Sequence, residues 1–386
     1  MYRIALIYSN FYRPVKMYYT RWPQQFSSTS IKTRAYSLVS PRRSKDVEST
    51  TFYSEGYFTK GKRLINAYFS DTSYMSYWFR AQGQLSVADK LRLMITFGNL
   101  ITYRPDILQL VNSTTYLKVK DLYLPERPKL ISSFHGYDIV TRPYNDPVWN
   151  KYLGELFERA DGLHFVSEWL RDKALALGAP EEKTKVIYAG VDSDFFNPTQ
   201  KIKIDIQRQI KIISTGRLVE LKGYQYAFKA VKLLLDQGLD IHYSIIGEGT
   251  AREQLSRLAN DLEIVKNVSF LGTKDKTELR GLLDSSDIYL QPSLTEALGG
   301  AVLEACSMAL PVVASSVGGI PEIIQNEANG LLVPPKNPEA LACAIKQLVE
   351  NPPDAQEMAA SARKTVENKF SIEQETKKWL ELYRSL

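Results

Sequence analysis

Short apolar runs alternate with helix-period segments along most of this chain, and that alternation restricts the fold more than any other feature. In the first half the strand-like runs are residues 4–8, 34–39, 106–111, 129–134, 163–166 and 185–188. In the second half they are residues 212–214, 241–246, 268–271, 288–290, 312–314 and 330–333. Between most of them lie stretches with apolar residues at helical spacing, such as Leu91, Met94, Phe97, Leu100 and Ile101, a helix that Pro105 closes. A strand joined to the next by a helix runs parallel to it, so the pattern predicts an α/β chain with two doubly wound parallel sheets. At 386 residues the chain also exceeds the size of one ordinary core. We expect domains over residues 1–196 and 197–370, with a C-terminal helix over 371–386 packing back on the first domain.

Sheets of this kind bind ligands outside the carboxyl ends of their strands, so the loops that follow strands carry the candidates. Residues 287–319, DIYLQPSLTEALGGAVLEACSMALPVVASSVGG, are the densest such stretch. A strand leads through a loop containing Glu296 to Leu298-Gly299-Gly300 and a helix expected to run to Leu310, before Pro311. Two glycines at a helix N-terminus admit an anion to bare backbone N–H groups, where the helix dipole favours negative charge. Glu304 lies off the line of Val302, Cys306 and Ala309 and leans back toward the glycines. An ordinary βαβ unit with a solvated Glu304 satisfies this stretch equally well when it is taken alone.

Thr215-Gly216-Arg217 and Lys222-Gly223 add two cations directly after a strand. With Arg217 in the loop and Lys222 opening the next helix, both can converge on one phosphate-bearing ligand. Lysine at a helix N-terminus opposes the dipole, which points to an anion there. Gly247-Glu248-Gly249 is a fragment of the dinucleotide fingerprint with Arg252 where the third glycine belongs, so it argues against a nicotinamide site and for close backbone approach to a base or sugar. Of the three histidines, His135 ends a strand before Gly136, whereas His164 and His242 lie inside apolar runs and read as core residues. Asp192-Ser193-Asp194 has no neighbouring histidine or third acid, and reads as a polar turn or helix cap, with no metal expected.

Together these segments resemble glycosyltransferase family 4, the glycosyl transferases group 1 with the GT-B fold. TGRLVELKG (215–223) is similar to the family's GR-x-x-x-x-KG segment, and IIGEG, FLG and DIYLQPS follow in family order. EALGGAVLEA (296–305) is similar to its E-x7-E signature, and FHGYD (134–138) to the strand end of its N-terminal domain. The resemblance implies two Rossmann-like domains facing a central cleft. It also implies a retaining, metal-independent hexosyltransferase that takes a UDP- or GDP-sugar and needs no cofactor. By position, Arg217 and Lys222 would bind the diphosphate, Glu304 the ribose and Glu296 the transferred sugar. Gly216, Gly247, Leu298, Gly299 and Gly300 would supply backbone to the donor, and His135 would lie near the reacting centre. A nucleotide-sugar epimerase or phosphorylase on the same fold, or a non-catalytic nucleotide-sugar-binding subunit, also accommodates these residues.

Charge and composition bear on the acceptor. Residues 1–100 hold 15 Lys+Arg against 5 Asp+Glu and 20 of the 43 aromatics, and no glycine precedes Gly56. Phe11, Tyr12, Tyr18, Tyr19, Trp22 and Phe26 are interleaved with Arg13, Lys16 and Arg21 where many family members carry a glycine-rich loop. Such a surface suits a glycan or lipid-linked acceptor or peripheral contact with an anionic membrane; no nucleic-acid-binding motif accompanies it. No apolar run of 18 residues or more occurs, and Met1-Tyr2-Arg3 enters a strand-like run rather than a signal peptide. With Cys306 and Cys343 the only cysteines, both expected in buried helix faces, the sequence reads as cytoplasmic.

Overall fold

The computed structural model of the protein describes residues 3–8, 32–37, 50–52, 72–81, 86–122, 124–199 and 204–386. The aromatic and basic side chains singled out between residues 9 and 31 lie outside that set. The chain divides into two compact units. One comprises Met1–Val166, Leu170–Ile187 and Thr376–Leu386; the other comprises Ser167–Trp169 and Tyr188–Glu375. The main division thus falls between Ile187 and Tyr188, ahead of the 196/197 boundary set by the sequence.

The first unit is built on seven parallel strands: β1 (Arg3–Tyr8), β2 (Lys32–Ser37), β3 (Thr50–Phe52), β4 (Ile107–Leu110), β5 (Lys129–Phe134), β6 (Gly162–Phe165) and β7 (Thr184–Val186). Their spatial order is β3-β2-β1-β4-β5-β6-β7. Helices α1 (Thr72–Ala81), α2 (Val87–Tyr103), α3 (Pro147–Arg159) and α4 (Glu168–Leu175) connect them. Ile4, Ala5, Leu6 and Ile7 of β1 are wholly buried, as a strand covered on both faces requires. The C-terminal residues contribute to this core: Trp379, Leu382 and Tyr383 pack with Ile4, Leu6, Ile107, Val111, Ile131 and Ile187. The Tyr383 hydroxyl donates to the buried Gln109 side chain.

The second unit has six parallel strands: β8 (Ile210–Thr215), β9 (Ile241–Ile246), β10 (Val268–Gly272), β11 (Ile288–Gln291), β12 (Val312–Ser315) and β13 (Leu331–Val333). They stand in the order β10-β9-β8-β11-β12-β13. Its helices are α5 (Tyr224–Asp236), α6 (Arg252–Asp261), α7 (Lys276–Asp284), α8 (Gly300–Ser307), α9 (Pro338–Glu350), α10 (Pro352–Lys369) and α11 (Ile372–Ser385), the last of which carries its C-terminal residues into the first unit's core. In α5, Ala227, Phe228, Ala230, Val231 and Leu234 form the apolar stripe that buries against the sheet. Asp275 and Glu278 cap α7 reciprocally, which explains why that helix begins at Lys276.

Four expectations are corrected. Spacing also predicts a helix from about Thr114 to Leu124; the structure has one 3-10 turn and one α-turn there, Ser113–Thr115 and Tyr116–Val119, since β-branched Thr114, Thr115 and Val119 and the nearby Pro125 and Pro128 limit it. Helix α8 stops at Ser307, three residues before Leu310. There Ala309 takes φ 51°, and bonds from Ala309 N to Cys306 O and from Leu310 N to Ala305 O close a Schellman turn without glycine. Cys306 is buried, its thiol pushed up to about 12 by burial. Cys343 is exposed, on the face of α9 opposite its buried Leu341, Ala344, Ile345 and Leu348. His164 is core, but His242 is half-buried and bonded to Ser269 Oγ at 2.9 Å. Among the described residues no helix is long and apolar enough to cross a membrane.

Candidate active site

In the second sheet the strand order reverses direction between β8 and β11, which are paired through Ile212–Ile288 and Ile213–Tyr289. A sheet splits its connections to opposite faces at such a point, and the crevice beyond the carboxyl ends is where a ligand sits. Two loops open there. The loop after β8 carries Gly216, Arg217 and Lys222; the loop after β11 carries Glu296 and runs into α8.

These loops are locked together by backbone. Leu294 N donates to Leu221 O at 2.8 Å. A side chain on Gly223 would meet the Pro292 carbonyl at 2.0 Å, and Gly223 holds φ 67°. Lys222 therefore does not open α5, as the sequence suggested. It ends a 3-10 turn, Glu220–Lys222, and Gly223 intervenes before the helix. Its ammonium pairs with Glu296 Oε1, so the anion inferred to offset a lysine near the helix start is supplied by the protein itself. Side chains at Lys222 and Glu296 are 19% and 13% exposed, a partly desolvated pair.

Glu296 is held from three sides. Oε1 also accepts from Ser293 Oγ at 2.9 Å and from Gln291 Nε2 at 3.0 Å. Gln291 Oε1 accepts from Tyr289 Oη at 2.8 Å, and that hydroxyl lies 3.0 Å from Thr215 Oγ1. The loop after β12 fixes the Glu296 backbone: Gly319 N donates to Glu296 O at 3.1 Å, and a Cβ on Gly318 would strike that carbonyl at 1.8 Å. Gln291 and Ser293 are contacts that the sequence reading did not single out. Their signal was present: a glutamine closing an otherwise apolar strand points a hydrogen-bonding group at the sheet edge.

The remaining donor-side candidates sit on the same edge. Arg217 is exposed and makes no ion pair among the described residues. Gly299 is the N-cap of α8 with φ 115°, where any side chain would meet Ile320 Cδ1 at 2.5 Å. Intrahelical bonding begins at Val302 and Leu303, which donate to Gly299 O, leaving the amides of Gly300 and Ala301 at the positive end of the helix. Leu298 is buried, and Glu304 is half-buried between its buried neighbours Leu303 and Ala305. At Gly247 the close approach is made by the chain: its Cβ would lie 1.9 Å from the Gly216 carbonyl, whose own N–H bonds Ile246 O. That glycine lets β9's loop abut β8's, a requirement independent of any ligand.

Two motif acids serve structure instead. Asp287 of DIYLQPS lies at the amino end of β11, where it accepts from Lys211 N at 2.8 Å and pairs with Arg208. Asp192 caps Phe195 N at 3.0 Å and pairs with Lys276 at 3.1 Å, the polar-turn role expected of it. Among the described residues no group of three or more His, Cys, Asp or Glu side chains is arranged to hold a metal.

His135 belongs to the first unit. Its Nε2 lies 2.7 Å from the Val111 carbonyl, which fixes that nitrogen as the protonated one. The following turn is held by Asp138, which accepts from His135 N at 3.2 Å, Gly136 N at 3.0 Å and the Ser113 hydroxyl. Burial pushes the Asp138 carboxyl above its ordinary range, against the pull of the Ser113 hydroxyl and these amides. A cavity of about 570 Å³ in this unit, lined by Leu108, Lys120, Leu122, Arg127, Leu130 and Asp161 among others, opens at the amino ends of β4 and β5, away from His135.

Residues 197–365 match the model of Glycosyl transferases group 1, and residues 46–195 match that of Glycosyltransferase Family 4. The chain belongs to glycosyltransferase family 4. It is 34% identical over 249 residues to the amylovoran biosynthesis glycosyltransferase AmsK of Erwinia amylovora, covering 63% of this chain and 60% of the relative. It is 26% identical over 251 residues to the GDP-mannose-dependent alpha-(1-6)-phosphatidylinositol monomannoside mannosyltransferase of Mycobacterium tuberculosis, covering 62% and 65%. These matches thus span less than two thirds of the relatives' own length. In structure it resembles Anabaena Alr3699/HepE in complex with UDP and glucose, with a TM-score of 0.78, full coverage of both chains and 16% identity. At that identity the likeness is one of fold, and it identifies the two Rossmann-like units as those of the GT-B glycosyltransferases.

Proposed function

We propose that this family-4 chain is a retaining hexosyltransferase that moves a sugar from a UDP- or GDP-sugar to a glycan or lipid-linked acceptor in polysaccharide or glycolipid biosynthesis. The observation that carries the reading is the Lys222–Glu296 pair at the switch point of the second sheet, with Arg217, which makes no ion pair among the described residues, in the same loop as Lys222. A cation and an acid that already neutralise each other suit a ligand offering both an anionic and a hydroxyl-bearing part. The diphosphate takes Lys222 and Arg217; the sugar hydroxyls take Glu296; the ribose takes Glu304. Names among the relatives support the class of donor and product: a GDP-mannose-dependent enzyme, an amylovoran enzyme, and a fold neighbour seen with UDP-glucose.

In this reading, breaking the sugar–phosphate bond leaves charge on the diphosphate and an oxocarbenium-like sugar. Arg217, Lys222 and the amino end of α8 stabilise the leaving group, the part a divalent ion plays in other enzymes, so no metal is required. The leaving phosphate takes the acceptor's proton. Glu296 already accepts three hydrogen bonds on one oxygen, which suits a sugar-hydroxyl ligand better than a general base. We assign His135 to the acceptor side of the reaction, and the basic, aromatic-rich composition of residues 1–100 suits a glycan or lipid-linked acceptor or an anionic membrane surface.

A thermal-shift panel of UDP- and GDP-sugars tests the donor. A ligand at 100 times its Kd adds about 2.7 kcal/mol of stability, and a panel in which nothing stabilises the protein sinks the proposal. Incubation of the stabilising sugar without acceptor separates transfer from epimerisation. Transfer that persists in EDTA with the anomeric configuration kept supports the retaining, metal-free mechanism.

A further inference from the structure

The second unit buries three tyrosine hydroxyls beside the switch point. Tyr243 bonds Ser214 at 2.7 Å, and Tyr289 bonds Thr215 and Gln291 at 3.0 and 2.8 Å. Tyr224 is the exception. It is the first residue of α5 and 2% exposed, and its hydroxyl is covered and has no hydrogen-bond partner. A buried hydroxyl with no partner forfeits the bond it makes to water in the unfolded chain, so such groups persist where a ligand completes them.

The position of this hydroxyl identifies that ligand. A Cβ built on Gly216 would lie 3.1 Å from Tyr224 Oη and 3.5 Å from Lys222 Cε. Hydroxyl and lysine stem therefore flank the same face of the loop after β8. Burial, and then the neighbouring Glu296 carboxylate, hold the phenol in its protonated form, which makes it a hydrogen-bond donor facing the region where Lys222 stands. No side chain at Gly216 comes between them, and that glycine's φ of 157° is one that L side chains rarely adopt, so the position requires glycine for its backbone as well as for room.

We propose that Tyr224 is a donor-contact residue, its hydroxyl donating to the diphosphate of the nucleotide sugar once Lys222 has exchanged Glu296 for that same diphosphate. The inference rests on the family-4 donor reading above. In the ligand-free protein the hydroxyl is covered and bonds nothing. Binding draws the ammonium away from Glu296, admits the diphosphate to Oη, and frees Glu296 for the sugar, so one ligand completes all three groups.

Tyr224→Phe in the full chain tests this, with UDP, GDP and inorganic pyrophosphate as the probes and calorimetric Kd and Tm as the readouts. The variant is expected to keep or slightly raise the Tm of the free protein, since it removes a hydroxyl that bonds nothing. It is expected to bind the preferred nucleoside diphosphate and pyrophosphate roughly tenfold more weakly, the scale of one hydrogen bond to a charged group. An unchanged Kd overturns the proposal. A Tm lowered by several degrees also overturns it, by showing that the hydroxyl is already satisfied. Weaker UDP or GDP binding with pyrophosphate unaffected overturns the assignment to the diphosphate. Wild-type protein that binds neither nucleotide overturns the donor reading along with this one.

Discussion

The carboxyl edges of the two sheets use the same strand order to different ends. At the second sheet the groups that matter are long, charged side chains held against each other: Lys222 on Glu296, with Gln291 and Ser293 behind. At the first sheet the charge is internal. Asp138 is buried beneath the His135-Gly136 turn and spends its oxygens on backbone amides and a serine, while the His135 ring is tied to a carbonyl. The first edge is fixed in shape by its own hydrogen bonds. The second holds Lys222 and Glu296 in a pair that, on the donor reading proposed above, a ligand exchanges. A site built on exchange stores charge without leaving it unpaired in a partly desolvated crevice, where an isolated ion is costly.

Several experiments break or sharpen that contrast. The largest effect is expected at the exchange pair: Lys222→Ala or Arg217→Ala loses on the order of 10²–10³-fold in turnover, the scale for removing one preorganised charge stabiliser. Turnover near that of wild type in both variants rejects the donor site. Next comes a pH effect confined to the first unit. His164 is buried against Trp379, with Nε2 at 2.9 Å from the Ile187 carbonyl, and burial lowers its pKa to about 4. The unfolded chain takes up that proton near pH 6.5 and the folded one only near 4, so stability is intact above 6.5 and falls as pH drops toward 4. The loss is on the order of 3 kcal/mol. His164→Gln should flatten this part of the urea-midpoint profile; an identical profile in the variant assigns the acid sensitivity elsewhere.

Gly318→Ala tests whether Glu296 is placed by backbone. Its Cβ meets the Glu296 carbonyl at 1.8 Å, and residue 318 sits at φ 57°. A loss of about 2–3 kcal/mol is expected from the overpacking, together with weaker sugar binding, and hydrogen exchange at the β11 loop would report both. The smallest effect has the opposite sign. Ala309 holds φ 51° at the end of α8, and Ala309→Gly should stabilise the second unit by roughly 0.5–1 kcal/mol by relieving that strain. A destabilised variant would show that the alanine methyl contributes more by packing than its backbone costs.

Much of the fold was legible because periodicity is local. β5 falls within the residues that strand spacing assigns it, and α7 starts where Asp275 and Glu278 cap it. Legibility ended where a residue's meaning depends on a distant neighbour. Gly247 read as room for a ligand and proved to be room for the Gly216 carbonyl. Cys343 read as buried because apolar residues flank it in sequence, yet the helix turns it outward. The short turn at Tyr116–Val119 shows helical spacing defeated by β-branching and prolines downstream.

By itself the sequence determined two parallel α/β sheets and the list of residues at their carboxyl edges, because strand and helix spacing and loop chemistry are written within a few residues. Only the tertiary structure decided which of those residues meet. Lys222 and Glu296 are 74 positions apart, and they pair because β11 lies directly beside β8 while β9 and β10 are laid on the other side. The same arrangement left Tyr224 with no protein partner beside a lysine that has one. That distinction rests on packing, which spacing along the chain does not encode.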